Sequence, residues 1–287
     1  MYDRNASILA IALFGAGLFA AAPARADEFA APAFRLSGSA TLASDYRFRG
    51  VSLSDNGPAA QASLRVDHRS GLYVGGFVSS LAGWGAQQRG GVEFDAQTGY
   101  RADVAGFALD AGVTGYFFPA GSGTGNFAEF HARLGRTLGP VSVTAGIAYA
   151  PPQRALGNWS GTPASRAGAR GDYLNLRAGA RGDNLNLRAD AIAGVPGTPL
   201  TARAHVGWSR GTAGVGPDGY SLTPTGRVLD WLVGLDYVRG PFTFGAAYVA
   251  TDIGSAAAAR LSPAFRQRRT GGAIAGGRAL VSITAAF

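Results

Sequence analysis

Residues Leu36–Arg49 read LSGSATLASDYRFR. Leu36, Gly38, Ala40, Leu42, Ser44, Tyr46 and Phe48 fall on one parity; Ser37, Ser39, Thr41, Ala43, Asp45, Arg47 and Arg49 fall on the other. A period of two is the mark of a strand whose two faces meet different surroundings, here one apolar and one polar. The alternation holds for fourteen residues, whereas a strand in a soluble sheet averages about five or six. A tilted membrane-spanning strand of about 9–11 residues, extended beyond the bilayer, fits that length. The apolar face then meets lipid and the polar face a water-filled lumen.

The same pattern recurs downstream. In Pro58–Arg69, Ala60, Ala62, Leu64 and Val66 oppose Gln61, Ser63, Arg65 and Asp67; in Val92–Asp103, Phe94, Ala96 and Tyr100 oppose Glu93, Asp95, Gln97 and Arg101. Further strands read over Phe107–Phe118, Phe127–Arg136, Val141–Ala150, Asn184–Gly194, Leu200–Arg210, Arg227–Arg239, Pro241–Asp252 and Gly277–Phe287. Leu72–Leu81 is apolar on both parities, so its orientation is unreadable. The connections alternate in length. Ser70-Gly71, Val104–Gly106, Leu138–Pro140, Val195–Pro199 and Gly240 are short, and the others are long and rich in Gly and polar residues. Short periplasmic turns, long external loops and an even strand number characterise outer-membrane barrels. GDYLNLRA at Gly171–Ala178 is nearly repeated as GDNLNLRA at Gly182–Ala189. Counting Gly171–Arg181 as a strand would break the alternation, so it reads as a duplicated insertion in an external loop. The expectation is an all-β antiparallel transmembrane barrel of twelve strands over residues 36–287.

The amino-terminal 26 residues read as an export signal: Arg4, an apolar run Ile8–Ala22, and Ala24-Arg25-Ala26 as a small-x-small cleavage site. Fifteen apolar residues fall short of the roughly twenty that a helical span needs. Residues 27–35 follow as a short periplasmic tail. The closing strand carries Ala279, Val281, Ile283, Ala285 and the final Phe287 on one parity, which suits recognition by the barrel-insertion machinery. Tyr46, Phe48, Phe117, Phe127, Tyr149, Trp208 and Trp231 are expected at the outer ends of their strands; Tyr100, Phe107, Tyr237, Phe242 and Phe287 at the inner ends. Two aromatic girdles around an aliphatic band match two water–lipid interfaces. Expected surroundings are outer-membrane lipid and lipopolysaccharide in a Gram-negative bacterium.

Composition excludes several classes. There is no cysteine among 287 residues, so disulfides, thiol catalysis and Cys-based metal sites are absent. The net charge of +8 comes entirely from arginine on the basic side, but the arginines are scattered singly among Asp and Glu. Only Arg266–Arg269 (RQRR) clusters; this is not the basic patch of a nucleic-acid-binding protein. No cofactor motif is present.

The residues Ser44-Asp45-Tyr46-Arg47-Phe48-Arg49-Gly50-Val51-Ser52-Leu53-Ser54-Asp55, followed by Pro58-Ala59, resemble the opening signature of the TorF family of porins. Gly71-Leu72-Tyr73-Val74-Gly75, Gly115-Tyr116-Phe117-Phe118-Pro119, Gly197-Thr198-Pro199-Leu200 and Asp230-Trp231 are similar to further motifs of that family. The resemblance implies an outer-membrane channel-type barrel and no particular solute; the duplicated segment departs from it.

Candidate functional residues are the charged ones on the polar parity. Arg47, Arg49, Arg65, Arg101, Arg133, Arg188 and Arg203 are expected to face the lumen, with Asp45, Asp67, Glu93, Asp95, Asp110, Glu129, Asp190 and Asp236. His131 and His205 share that parity. Charges ringing a wet lumen set ion preference, here a slight preference for anions from the arginine excess. The alternative is that opposite charges pair across strands and plug the barrel, leaving a structural or adhesive role. Gly207-Trp208-Ser209-Arg210-Gly211 fits G-x-S-x-G, which keeps an outer-membrane hydrolase as a third reading, but that elbow needs a strand-to-helix turn and here it ends a strand. One His per strand is also too sparse for a metal site. The Arg-Gly-Asp triplets at 170–172 and 181–183 belong to the duplication and read as turns. The function expected is passive diffusion of small hydrophilic solutes, without catalysis.

Overall fold

The computed structural model describes residues 32–82, 90–119, 125–156, 184–211, 222–261 and 266–287. The export signal and the duplicated segment 171–181 lie outside the described residues. The chain forms β1 (Phe34–Ala43), the two-residue strands β2 (Arg47–Phe48) and β3 (Val51–Ser52), then β4 (Ala59–His68), β5 (Leu72–Ser80) and β6 (Val92–Val104). It continues through β7 (Phe107–Phe117), β8 (Phe127–Leu138), β9 (Val141–Ala150), β10 (Asn184–Gly194), β11 (Leu200–Gly211), β12 (Arg227–Arg239), β13 (Phe242–Thr251) and β14 (Arg278–Ala286). A short helix α1 (Ser255–Arg260) lies in the last long loop.

Twelve of these strands, β1 and β4 to β14, pair with sequence neighbours and close into a barrel through β1 and β14. The expected strand number is borne out. Every pairing is antiparallel, and β10 spans Asn184–Gly194, as its alternation predicted. The short connections all lie at one end. Ala105 and Gly106 both have positive φ (52° and 78°), the geometry of a two-residue turn that matches strand twist.

The wall is inverted relative to a soluble protein. Leu42 (63 % exposed), Leu64, Val74, Phe130, Val233, Phe244 and Val281 face outward, while Thr41, Gln61, Arg65, Glu93, Glu129, Asp236 and Thr284 are buried inside. In water such a surface would be a contiguous apolar patch far beyond what monomers expose; in hydrocarbon it is the favoured arrangement. Leu72–Leu81 also resolves: Tyr73 and Ser79 are buried inside, and Leu72, Val74 and Val78 point out. Phe117, Trp231, Tyr237, Tyr100 and Phe242 are outward and at least a third exposed, as expected of girdle residues.

The first strand differs from expectation. It ends at Ala43, because Ser44 turns the chain while still bonded to β14 (Ser44 N–H to Val281 O, 2.9 Å; Val281 N–H to Ser44 Oγ, 3.0 Å). Residues 45–49 therefore leave the wall. Tyr46 and Phe48, expected in the outer girdle, are buried inside the barrel, and so is Phe127.

An arginine on the outward face tests this wall. Val233 lies mid-strand and 53 % exposed, so Val233→Arg is expected to cost about 2–4 kcal/mol in lipid, as mid-bilayer arginines do. Urea unfolding of the barrel refolded into vesicles measures it. Thr243→Ser, on the inward face, serves as the control with a change near zero.

Candidate functional site

Residues 45–56 fold back into the long-loop end of the barrel as a hairpin whose two sides are chemically distinct. At its tip, Arg49 and Gly50 have φ of 50° and 76°, the consecutive left-handed pair of a type I′ turn. Gly50 is also required sterically, because a side chain there would run into Thr251. On the polar side, the Asp45 carboxylate accepts from Arg47 Nε (2.8 Å), Ser52 Oγ and Ser54 Oγ (2.9 Å). Arg47 also donates to the carbonyls of Gly50 (2.9 Å) and Gly276 (2.7 Å) and to Asn56 Oδ1 (2.9 Å). This pair is buried and its polar atoms are satisfied within the hairpin and the loop above it.

On the apolar side, Tyr46, Phe48, Val51 and Leu53 join Tyr116, Phe118 and Phe127 of the wall and Ile253, Ile274 and Ala275 of the last long loop in one core. Tyr116 stacks on Phe127 at 4.4 Å, and Phe48 meets Tyr116 edge-on at 5.7 Å. Burial of each such side chain contributes about 1.5–3 kcal/mol. The last long loop closes over the hairpin: Ser52 N–H bonds Ile274 O (2.9 Å), and Arg268 N–H bonds the Asp55 carboxylate (3.1 Å). Arg268 of the RQRR cluster thus caps the hairpin through its backbone. Burial beside Glu93 and Asp95 holds the Tyr46 phenol well above its ordinary pKa, so it stays protonated.

The hairpin tip crosses the bore. Arg49 Nη2 donates to both carboxylate oxygens of Glu129 of β8 (2.7 and 2.9 Å), and its Nη1 donates to Asn184 Oδ1 of β10 (2.7 Å). These strands flank β9, which stands six strands from β1 in either direction around the ring. The tip is therefore anchored diametrically opposite its own root. A buried ion pair adds little net stability once desolvation is included. Apolar burial supplies the docking energy, and the Arg49–Glu129 bridge decides where the tip lands.

Below the hairpin the wall carries charge. Asp110 gathers Tyr73 Oη (2.8 Å), Arg101 Nε (3.0 Å) and His131 Nε2 (3.4 Å). Asp190 holds His205 Nδ1 at 2.6 Å, with Asp230 3.7 Å from the other ring nitrogen; Arg203 pairs with Asp236 at 3.0 Å. Arg65 bonds Asp67 (2.6 Å) and lies 3.7 Å over the Tyr73 ring. These long side chains lie across glycines of the neighbouring strands. A Cβ at Gly99 would strike Tyr73 Oη at 2.6 Å, one at Gly112 would meet His131 Cε1 at 3.0 Å, and one at Gly234 would meet Arg203 Nε at 3.1 Å. Gly207 would likewise run into Asp230. Missing side chains on one strand leave room for the polar groups of the next to lie against it.

Of the residues singled out from sequence, Arg65, Asp67, Glu93, Asp95, Arg101, Asp110, Glu129, His131, Arg133, Arg188, Asp190, Arg203, His205 and Asp236 sit on the inward parity of their strands. Asp45 and Arg47 do not line the wall: they are consumed inside the hairpin. Arg49 faces the lumen from the hairpin tip. Sequence reasoning missed Tyr73, Asn184, Asn186 and Asp230. Asp230 shares parity with Asp236 and could have been found; Tyr73 lay in the strand whose faces could not be told apart. Ser209 is buried in a continuous strand and accepts from Asn186 Nδ2 (2.9 Å), so G-x-S-x-G here is not the strand-to-helix elbow.

A closed antiparallel barrel of twelve strands, apolar outside and polar within, is the fold of outer-membrane porins. A family model described as "Bacterial protein of unknown function (Gcw_chp)" matches residues 27–287, and the chain belongs to that family. Among solved structures it is similar to the NanC porin (12 % identity, 88 % of this chain and 99 % of that one, TM-score 0.51). The KdgM porin is similar to the same extent (8 % identity, 88 % and 99 %, TM-score 0.51). An outer-membrane channel from Pseudomonas putida F1 aligns at 11 % identity over 93 % of this chain and all of that one, with a TM-score of 0.47. The likeness is one of fold. A comparison with curated proteins gave no significant match.

The hairpin's polar side yields a test. Asp45→Ala strands the Arg47 charge where both side chains are at most 1 % exposed, a change that costs about 3–5 kcal/mol for a broken buried pair. The hairpin is expected to undock and admit trypsin after Arg47 and Arg49 while the barrel keeps its heat-modifiable gel mobility. Asp45→Ala combined with Arg47→Met is expected to restore protection, since removing both charges is nearly neutral.

Proposed function

We propose that this protein is an outer-membrane channel for passive diffusion of small hydrophilic solutes and ions, as its resemblance to the TorF porins implies. The short turns face the periplasm and the long loops the exterior, after export through the amino-terminal signal. The closing strand ending at Phe287 engages the insertion machinery, and lipid with lipopolysaccharide surrounds the wall. Solutes pass unchanged.

The observation that carries this reading is the lodging of Tyr73, His131, Arg203 and Asp230 over glycines of adjacent strands. Glycines on one strand give the long polar side chains of the next room to lie against the wall, an arrangement that supports a channel. Paired charges along the wall offer an ion a series of weak sites, which favours conduction over trapping. The hairpin narrows the exterior end, and solutes pass beside it or when it moves. One feature favours the second reading, a plugged structural barrel: the hairpin spans the full bore, tied by Arg49 to both flanks of β9.

Conductance in planar bilayers separates the two. The refolded wild-type protein is expected to give small discrete steps, mildly anion-preferring. Arg49→Ala, which releases the tip from Glu129 and Asn184, is expected to raise the step size at least twofold. No steps from either protein would overturn the channel reading in favour of the plug.

A further inference from the structure

Arg210 of β11 and Arg227 of β12 stand directly opposite one another in register, both exposed, at the long-loop end of the barrel. They share the parity of Trp208, Leu229 and Trp231, which point out of the wall, whereas Ser209 and Val228 between them are buried inside. Outward charge is rare in this chain. Among the described strand residues of the wall, the outward parity carries a permanent charge at Arg210 and Arg227 and, at the short-turn end, at Arg136 of β8 and Arg239 of β12, which stand apart from each other. Facing residues of adjacent strands bring their Cβ atoms to about 4.5–5.5 Å, and like charges so placed destabilise a sheet. The ladder nevertheless runs on past the pair, with Gly211 N–H bonded to Gly226 O at 3.1 Å.

Among the described residues, neither arginine has an ion-pair partner. Asp230 points into the barrel beside His205. Asp252, just past the end of β13, is bound to Leu229 through its backbone N–H and through Oδ1 (2.9 Å each). A rise of about 3.3 Å per residue puts the pair about 7 Å along the strands beyond Trp208 and Leu229. That is the loop side of the aromatic girdle, where a membrane passes from hydrocarbon to headgroups. Two planar forks of N–H donors side by side match the oxygens of a phosphate. Below them Val206, Leu229 and Trp231 present an exposed apolar surface to hydrocarbon chains.

We propose that Arg210 and Arg227 form a phosphate clamp on the outside of the wall, holding one lipopolysaccharide molecule by a phosphate of its headgroup while its acyl chains lie on Val206, Leu229 and Trp231. This rests on the reading that the long loops face the exterior, since lipopolysaccharide occupies the outer leaflet. The bound phosphate supplies the counter-charge between the facing arginines and ties β11 to β12 at the end of their ladder. A free phosphate ion offers the clamp the same oxygens; the apolar surface beneath it favours the lipid.

Native mass spectrometry of the refolded full chain in detergent, titrated with diphosphoryl lipid A, tests the clamp. Lipid A stripped of both phosphates is expected to bind at least tenfold more weakly. Arg210→Gln combined with Arg227→Gln is expected to weaken diphosphoryl lipid A at least tenfold. Arg136→Gln combined with Arg239→Gln, which removes the same charge at the other end of the barrel, is expected to change it less than twofold. Inorganic phosphate in large excess is expected to leave the lipid bound. Equal binding of the stripped lipid, or equal loss in the two double variants, would overturn the clamp; displacement by inorganic phosphate would overturn the lipid as its ligand. Should the first double variant fail to refold, Arg227→Gln alone decides, with an expected loss of at least threefold. Orientation is read separately: the chain has no cysteine, and Arg260→Cys on α1 in the last long loop is expected to react with a membrane-impermeant maleimide on intact cells. Labelling only after the cells are opened would overturn the exterior placement of the loops and the lipopolysaccharide partner with it, whereas failed binding by a correctly oriented barrel overturns the clamp alone.

Discussion

Hydrocarbon offers no partner to an unpaired backbone amide, so a wall of strands in lipid has to close on itself. In this chain closure falls to the two ends of the described sequence. Gly38 and Phe287 exchange backbone bonds (3.1 Å each), and Thr41 and Thr284 join their hydroxyls at 2.8 Å on the buried inner face. The terminal ring lies over Gly38, where a Cβ would sit 2.6 Å from Phe287 Cζ. A glycine on the first strand and an aromatic at the last residue are therefore two halves of one seam. With that seam shut, every strand of the wall has two neighbours and the barrel has no edge.

Closure creates the second problem, an interior that must be polar without being full. The chain sets polar side chains beside glycines on adjacent strands, so that Tyr73, His131, Arg203 and Asp230 lie along the wall. Along the same wall Asp110 pairs with Arg101, Asp190 with His205 and Asp236 with Arg203. The same device recurs at Gly146, beside which Arg133 and Arg188 both lie, facing Asp110 and Asp190 respectively.

The long-loop end is handled differently. Tyr46, Phe48, Val51 and Leu53 bury an apolar core within a barrel whose remaining interior is largely polar. This is a small soluble-like core placed at the mouth, and it lets a loop act as a structured element. The apolar side holds the hairpin in, the Asp45–Arg47 pair holds it together, and Arg49 fixes its reach across the bore.

Most of the wall was legible because alternation with a period of two is a direct imprint of lipid on one side and water on the other. Strand number, the short and long connections and the inward charges of β4, β6, β8, β10 and β11 follow from parity alone. The hairpin was not legible for the same reason: its polar and apolar sides also alternate, so Asp45, Tyr46, Arg47 and Phe48 continue the rhythm of β1 without a break. Parity reports that two faces differ and is silent on whether the apolar face meets lipid or another apolar surface. Which strand positions lie beside glycines, and which residues stand opposite one another across the bore, depend on register and closure. The sequence by itself determined a membrane wall; only the tertiary structure decided where the chain leaves that wall, because pairing with β14 ends at Ser44 and the apolar side chains beyond it find a drier place inside.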